Sequence, residues 1–273
     1  MELSCLPVSL FPKLITKEMS LYEWAVLGKE AGLDYIDLSV LFFHSRTRRE
    51  ILAAKESLGR AGMRVAMITT YPDFADGDPV QRRRELAHTF SDIELASELG
   101  AGYLRITAGQ KHWGADKAAT LDRVTECFLR CAEYAKQAGV KLVYENHAKP
   151  GAWDEFDFCF ETDIFLRLSE KLRDSEVRIN FDTANTAGYG DDPLPVFKAV
   201  FDRVETIHAA DIALPGEMRY TEIGAGCAPI REVLAYAKAH GFDGLISIEE
   251  ASMHGADGIL RGAKTLRRIW EAV

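Results

Sequence analysis

Residues 135–146 read AKQAGVKLVYEN: the end of an amphipathic helix, a glycine, and a short apolar run closed by a glutamate. A helix C-terminus leaves carbonyls without intrahelical partners, and a left-handed glycine lets the chain turn back over them. A strand beginning within a few residues of that glycine is the usual αβ connection. The same unit recurs as GKEAGLDYIDLS (28–39), LGRAGMRVAMITT (58–70), ASELGAGYLRIT (96–107) and AKAHGFDGLISIE (237–249). Gly32, Gly62, Gly100, Gly139 and Gly241 stand at the turn in each copy.

Working outward from this unit, eight strands are expected at about 3–8, 34–40, 64–69, 102–107, 140–145, 177–182, 204–209 and 245–249. Helices are expected at about 20–31, 47–60, 79–99, 116–138, 161–172, 193–201, 228–240 and 257–271. Asp78-Pro79 is a helix start, with an N-cap side chain followed by a proline whose missing N–H costs nothing there. The strands are continuous apolar runs, as expected where helices cover both faces of a parallel sheet. Strict β–α alternation repeated eight times predicts an α/β protein with one (β/α)8 TIM barrel spanning 1–273. An open, doubly wound sheet is the alternative, and the absence of GxGxxG after the first strand weakens its dinucleotide-binding form.

The chain has 273 residues, 47% of them hydrophobic, and a formal net charge of −9. That charge argues against a nucleic-acid partner, because phosphate-backbone binding needs a basic surface. The one basic cluster, Arg82–Arg83–Arg84, lies near Glu85 and Asp92 and reads as a solvated helix face. No apolar run is long enough to span a bilayer, so no membrane partner is expected. The opening MELSCLPVSLF lacks a basic stretch before an apolar one, so a signal peptide is not expected. Five cysteines at irregular spacings read as free thiols of a cytoplasmic protein, with Cys127 and Cys131 packed in the core.

Four charged residues close the last four barrel strands: Glu145 in KLVYENH, Asp182 in VRINFDTAN, His208 in VETIHAAD and Glu249 in GLISIEE. A charge at the end of an apolar run is costly unless something compensates it. Active sites of (β/α)8 barrels lie at the C-terminal strand ends, where these four would converge. Three carboxylates and one imidazole suit a divalent cation: Mn²⁺ first, with Mg²⁺, Co²⁺ or Zn²⁺ also open. The longest βα loop, 147–160, carries Trp153, Phe156 and Phe158 and suggests a partial lid.

The segments YENH, NFDTAN, TIHAAD and SIEE, followed by EIGAGCAPI, resemble in order and spacing the sugar-phosphate isomerase/epimerase superfamily. These are xylose-isomerase-like TIM barrels that include ketose 3-epimerases and inosose dehydratase. The resemblance implies metal ligation by Glu145, Asp182, His208 and Glu249, with Glu145 and Glu249 as the acid/base pair. It implies a metal-dependent isomerase or epimerase acting on a keto sugar or related polyol. The cation would polarise a carbonyl and an adjacent hydroxyl, and proton abstraction beside the carbonyl would give an enediolate. Similar Glu-x-His pairs in dehydratases of the superfamily make His147 a second acid/base candidate, so a lyase reaction is the alternative. A binding module that has kept the barrel is a third reading. Many relatives carry histidine where this chain has Asn185, and the histidines of an endonuclease IV-type zinc cluster are missing.

Further substrate contacts are expected from His147, Arg219, Lys149, Trp153, Tyr71 and Asn185, with Arg105 and His112 as lesser candidates. Asp211 is expected to order the loop after strand seven. Gly224 and Gly226 could cradle a phosphate, although unphosphorylated sugars are also used by relatives with this stretch. The remaining histidines, His44, His88, His240 and His254, read as surface or capping residues. The partner expected is a small carbohydrate, and the aromatic loop 147–160 would suit an interface in a homo-oligomer.

Overall fold

Gly32, Gly62, Gly100, Gly139 and Gly241 adopt φ of 72, 64, 72, 74 and 77°, the left-handed turn that the repeated unit requires. The computed structural model describes all residues, 1–273. Between these turns run β1 (Glu2–Leu6), β2 (Ile36–Ser39), β3 (Val65–Thr69), β4 (Tyr103–Ile106) and β5 (Lys141–Glu145). They are followed by β6 (Arg178–Asp182), β7 (Val204–Ala209), a two-residue hairpin of β8 (Asp211–Ile212) and β9 (Tyr220–Thr221), and β10 (Leu245–Glu249). The helices are α1 (Phe11–Ile15), α2 (Leu21–Glu30), α3 (Arg48–Ala61), α4 (Pro79–Leu99) and α5 (Lys117–Ala138). Then come α6 (Thr162–Lys171), α7 (Asn185–Tyr189), α8 (Pro193–Val200), α9 (Ile230–Ala239) and α10 (Gly255–Ala272).

Eight strands pair in parallel in the order β1-β10-β7-β6-β5-β4-β3-β2, a nearly closed barrel ringed by helices. The seam between β1 and β2 is drawn shut by Asp34: Leu3 N donates to its Oδ2 at 3.0 Å, and its own N–H donates to Leu3 O at 2.9 Å. The first strand stops at Leu6 rather than residue 8, because Pro7 has no N–H to offer the ladder. Aspartates cap α4, α5 and α8: Asp78, Asp116 and Asp192 each accept a backbone N–H of the first turn. Short α1, α7 and the β8–β9 hairpin were not expected; each is too brief to show a period in the sequence. All five cysteines are free and four are buried, Cys127 and Cys131 among them. No helix is long and apolar enough to cross a membrane.

Inside the barrel, Asp37 of β2 is completely buried. Its Oδ2 accepts from Ser4 Oγ at 2.8 Å and from Ser247 Oγ, and its Oδ1 from Met67 N at 3.2 Å. One carboxylate thus ties β1, β2, β3 and β10 beneath the mouth. Burial pushes its pKa up, while Ser247, His208 and Ser4 pull the other way. Asp37→Ala leaves three buried donors without an acceptor. We expect it to destabilise the fold by about 3 kcal/mol or more, read as a lower urea midpoint with an unchanged slope.

Candidate metal centre

Glu145 ends β5, Asp182 ends β6, His208 lies in β7 and Glu249 ends β10. One ligand atom from each lies within 4.8 Å of the others at the C-terminal mouth of the barrel. The register brings this about: Asp182 pairs with His208 across β6–β7, and Glu145 pairs with Asn180 across β5–β6. His208 Nδ1 stands 3.2 Å from Glu145 Oε1 and 2.9 Å from Glu249 Oε2. A carboxylate oxygen only accepts, so Nδ1 is the protonated nitrogen in this arrangement. Burial alone would lower the His208 pKa, but Glu145 and Glu249 raise it well above the usual range.

Arg105 is the residue that the sequence reading undervalued. It is 1% exposed, and its Nε lies 3.0 Å from Glu145 Oε2. Its guanidinium sits 4.7 Å over the Tyr71 ring, whose hydroxyl is 3.0 Å from Thr69 Oγ1. Burial pushes the Glu145 carboxyl up; Arg105 and His208 together more than reverse this and hold it at about 2. Asp182 has no such cation. Burial and the neighbouring Glu249 and Glu145 carboxylates push its pKa well up.

Asp182 is nevertheless held rigidly. Its Oδ1 accepts from Ala184 N and Asn185 N at 2.8 and 2.7 Å. Its backbone N–H donates to Asn146 Oδ1 at 2.8 Å, and Asn146 Nδ2 returns a bond to Asp182 O at 2.9 Å. The other carboxylate oxygen, Oδ2, is buried without a partner. These observations fit a divalent cation. Three carboxylates crowd a buried site against one guanidinium, and a buried acceptor oxygen stands free beside them. A cation would take the place of the proton that His208 Nδ1 shares with Glu145 and Glu249, and would give Asp182 Oδ2 the partner it lacks.

Around the quartet, His147 is buried, with Nδ1 3.8 Å from Asp157 Oδ2 and neither atom otherwise hydrogen-bonded. Tyr71 and Trp153 flank its ring, with centroids 6.2 and 6.3 Å away. Asn185 is buried, and its Oδ1 accepts from Tyr220 OH at 3.3 Å. Two expected substrate residues are not brought in. Arg219 is two-thirds exposed with Glu217 3.7 Å away, and Lys149 donates to Asp154 O at 2.6 Å within its own loop. His112 is turned to Asp73, 3.0 Å away, rather than to the quartet.

The phosphate cradle is already filled. Asp211 Oδ2 accepts from Gly224 N and Gly226 N at 2.9 and 3.0 Å, and its Oδ1 from Ala228 N at 3.0 Å. Asp211 therefore orders this loop as expected, and in doing so consumes the N–H groups a phosphate would need. In the 147–160 loop Trp153 meets the edge of His147 and lines a cavity with the loops after β2 and β3, Phe158 is buried and Phe156 remains 40% exposed.

The family model for the xylose isomerase-like TIM barrel matches residues 26–269. An Escherichia coli (strain K12) protein carrying the provisional name L-ribulose-5-phosphate 3-epimerase SgbU is 24% identical over 238 residues, 81% of this chain and 80% of that protein. Among solved structures, Bacillus anthracis AsbF, provisionally named a 3-DHS dehydratase, has a TM-score of 0.80. It is 16% identical, with 98% of this chain and 99% of that one covered. The structure of an IOLI protein with a zinc atom has a TM-score of 0.78 at 16% identity, covering 100% and 99%. At these identities the structural likenesses establish the fold.

Asn146 touches Asp182 through two hydrogen bonds and also donates to Thr186 Oγ1 at 3.0 Å on α7. Removing such a supporting bond costs a metal site roughly 10- to 100-fold in affinity. Calorimetric titration of the metal-free protein with Mn²⁺ should show that loss in Asn146→Ala, with the circular dichroism spectrum unchanged.

Proposed function

Because the chain belongs to the xylose isomerase-like TIM barrel family, we propose that it is a divalent-metal-dependent isomerase or epimerase of a keto sugar or related polyol. The observation that carries this reading is the quartet itself: two glutamates from opposite flanks share one imidazole nitrogen, with Asp182 beside them. Glu145, Asp182, His208 and Glu249 would hold the cation, Mn²⁺ first among Mg²⁺, Co²⁺ and Zn²⁺. When bound, it supplies Lewis-acid polarisation of the substrate carbonyl. The named functions of SgbU and AsbF, a sugar epimerase and a dehydratase, support an enzyme.

The two glutamates are not equivalent. Arg105 holds Glu145 in place at 3.0 Å, and in this reading Glu145 accepts the proton from the carbon beside the carbonyl. Glu249 carries no guanidinium and lies at the edge of the buried cluster, 9% exposed. In this reading it returns a proton to the other face of that carbon. Tyr71, His147, Trp153 and Asn185 surround the sugar and exclude water. Residues 1–273 act as one domain.

A lyase is the second reading, and one observation favours it. His147 Nδ1 and Asp157 Oδ2 face each other 3.8 Å apart, both buried and otherwise unpartnered. Such a pair could carry a proton to a departing hydroxyl.

The test is solvent-deuterium exchange. Incubated in D2O with Mn²⁺ and a panel of ketoses, the protein should place deuterium at the carbon next to the carbonyl and yield the epimer, both followed by NMR. Glu145→Gln and Glu249→Gln should each slow exchange by roughly 10²–10⁴-fold. Accumulation of an unsaturated ketone instead would establish the lyase. Exchange that survives both substitutions would contradict either reading.

A further inference from the structure

A cavity of about 460 Å³ opens at the rim of the barrel, between the loops that follow β2 and β3, helix α4 and the 147–160 loop, with no quartet residue in its lining. We propose that it is a second sugar subsite, taking a neutral glycosyl group linked to the keto sugar at the quartet. This inference rests on the reading above and names the kind of substrate: an extended, unphosphorylated ketose.

Continuity comes from two side chains that belong to both spaces. Tyr71 lines the cavity and lies against Arg105, the partner of Glu145. Trp153 lines the cavity and meets the edge of His147, two residues beyond Glu145. These two rings are common to the surroundings of the quartet and to the cavity, so a substrate on the quartet that reaches past them would enter it. The volume falls within the roughly 300–1,000 Å³ of small-molecule sites. Two half-buried aromatics in its wall, Tyr71 and Trp153, match the apolar face of a pyranose ring.

Charge decides what the extension is. Arg46 is the one arginine in the cavity wall, and it is spent on Asp92, with Nη2 and Nε 2.6 and 3.1 Å from Oδ1. Glu85 and Asp92 both line the cavity, so a phosphate or carboxylate would meet two carboxylates and no free cation. The neutral hydrogen-bonding capacity is better matched. His44 Nε2 stands 3.0 Å from Ile15 O and so carries the proton, leaving Nδ1 to accept from a hydroxyl. The other phosphate position, at Gly224 and Gly226, is occupied by Asp211. Neither the cavity's arginine nor the Gly224 and Gly226 N–H groups are free for an anion.

The experiment is calorimetric titration of the Mn²⁺-loaded protein with D-fructose, D-fructose 6-phosphate and the four reducing glucosyl-fructoses turanose, maltulose, leucrose and palatinose. These vary the linkage around one keto sugar. At least one disaccharide should bind about tenfold or more tightly than D-fructose. Leu41, 36% exposed in the cavity wall, provides the control. Leu41→Trp fills the space and should bring the disaccharide-to-fructose affinity ratio down to about one. D-fructose binding as well as every disaccharide would overturn the subsite and leave the epimerase reading standing. Tightest binding by D-fructose 6-phosphate would also overturn it. Binding of none of these sugars would overturn both the subsite and the reading it rests on.

Discussion

Three carboxylates and an imidazole are held within 4.8 Å of one another, nearly all of their surface buried. Ionised carboxylates in such a place repel and are costly to desolvate, so each demands a partner. Arg105 answers for Glu145, His208 lies between Glu145 and Glu249, and backbone N–H groups answer for one oxygen of Asp182. The remaining oxygen of Asp182 has nothing. Much of the surrounding structure is arranged to hold this unfavourable cluster in position. Asn146 pins the strand end, Asp37 ties four strands beneath it, and Asp34 draws the seam of the barrel shut.

The same economy shapes the rim. Asp211 spends both oxygens on the loop at 224–228, which makes the loop rigid and removes a place for phosphate. Thr183 Oγ accepts from Ala210 N and donates to Ala210 O, locking the end of β6 to the end of β7. Rigid strand ends place side chains more accurately than free loops do. The 147–160 segment completes this part of the rim, where Trp153 meets the edge of His147.

Much of this was legible in the sequence, for identifiable reasons. The glycine turns demand φ that few other residues adopt, so the repeated unit and five of the eight barrel strands could be read directly. The quartet stood out because charge at the end of an apolar run has few structural explanations. Arg105, Asn146 and Asp37 were harder. In a strand buried on both faces, alternation does not say which side chain points into the barrel, so Arg105 in YLRIT looked like a peripheral residue. Arg219 was drawn toward the site by its place between the end of strand seven and the Gly-x-Gly stretch and by its loose resemblance to a substrate-binding arginine of the epimerases. The β8–β9 hairpin instead carries it out to Glu217, while Tyr220 next to it turns inward to Asn185. Helix α7 is five residues long and is fixed by its contacts with Asp182 and Asn146 rather than by any period of its own.

The central claim is that the quartet exists to hold a cation. It is tested most directly by plasma mass spectrometry of the purified protein alongside Glu145→Gln and Asp182→Asn. The account predicts about one Mn, Co, Mg or Zn per chain, lost from both variants while their circular dichroism spectra remain native. A wild-type protein that holds no divalent metal, even after dialysis against Mn²⁺, would contradict it.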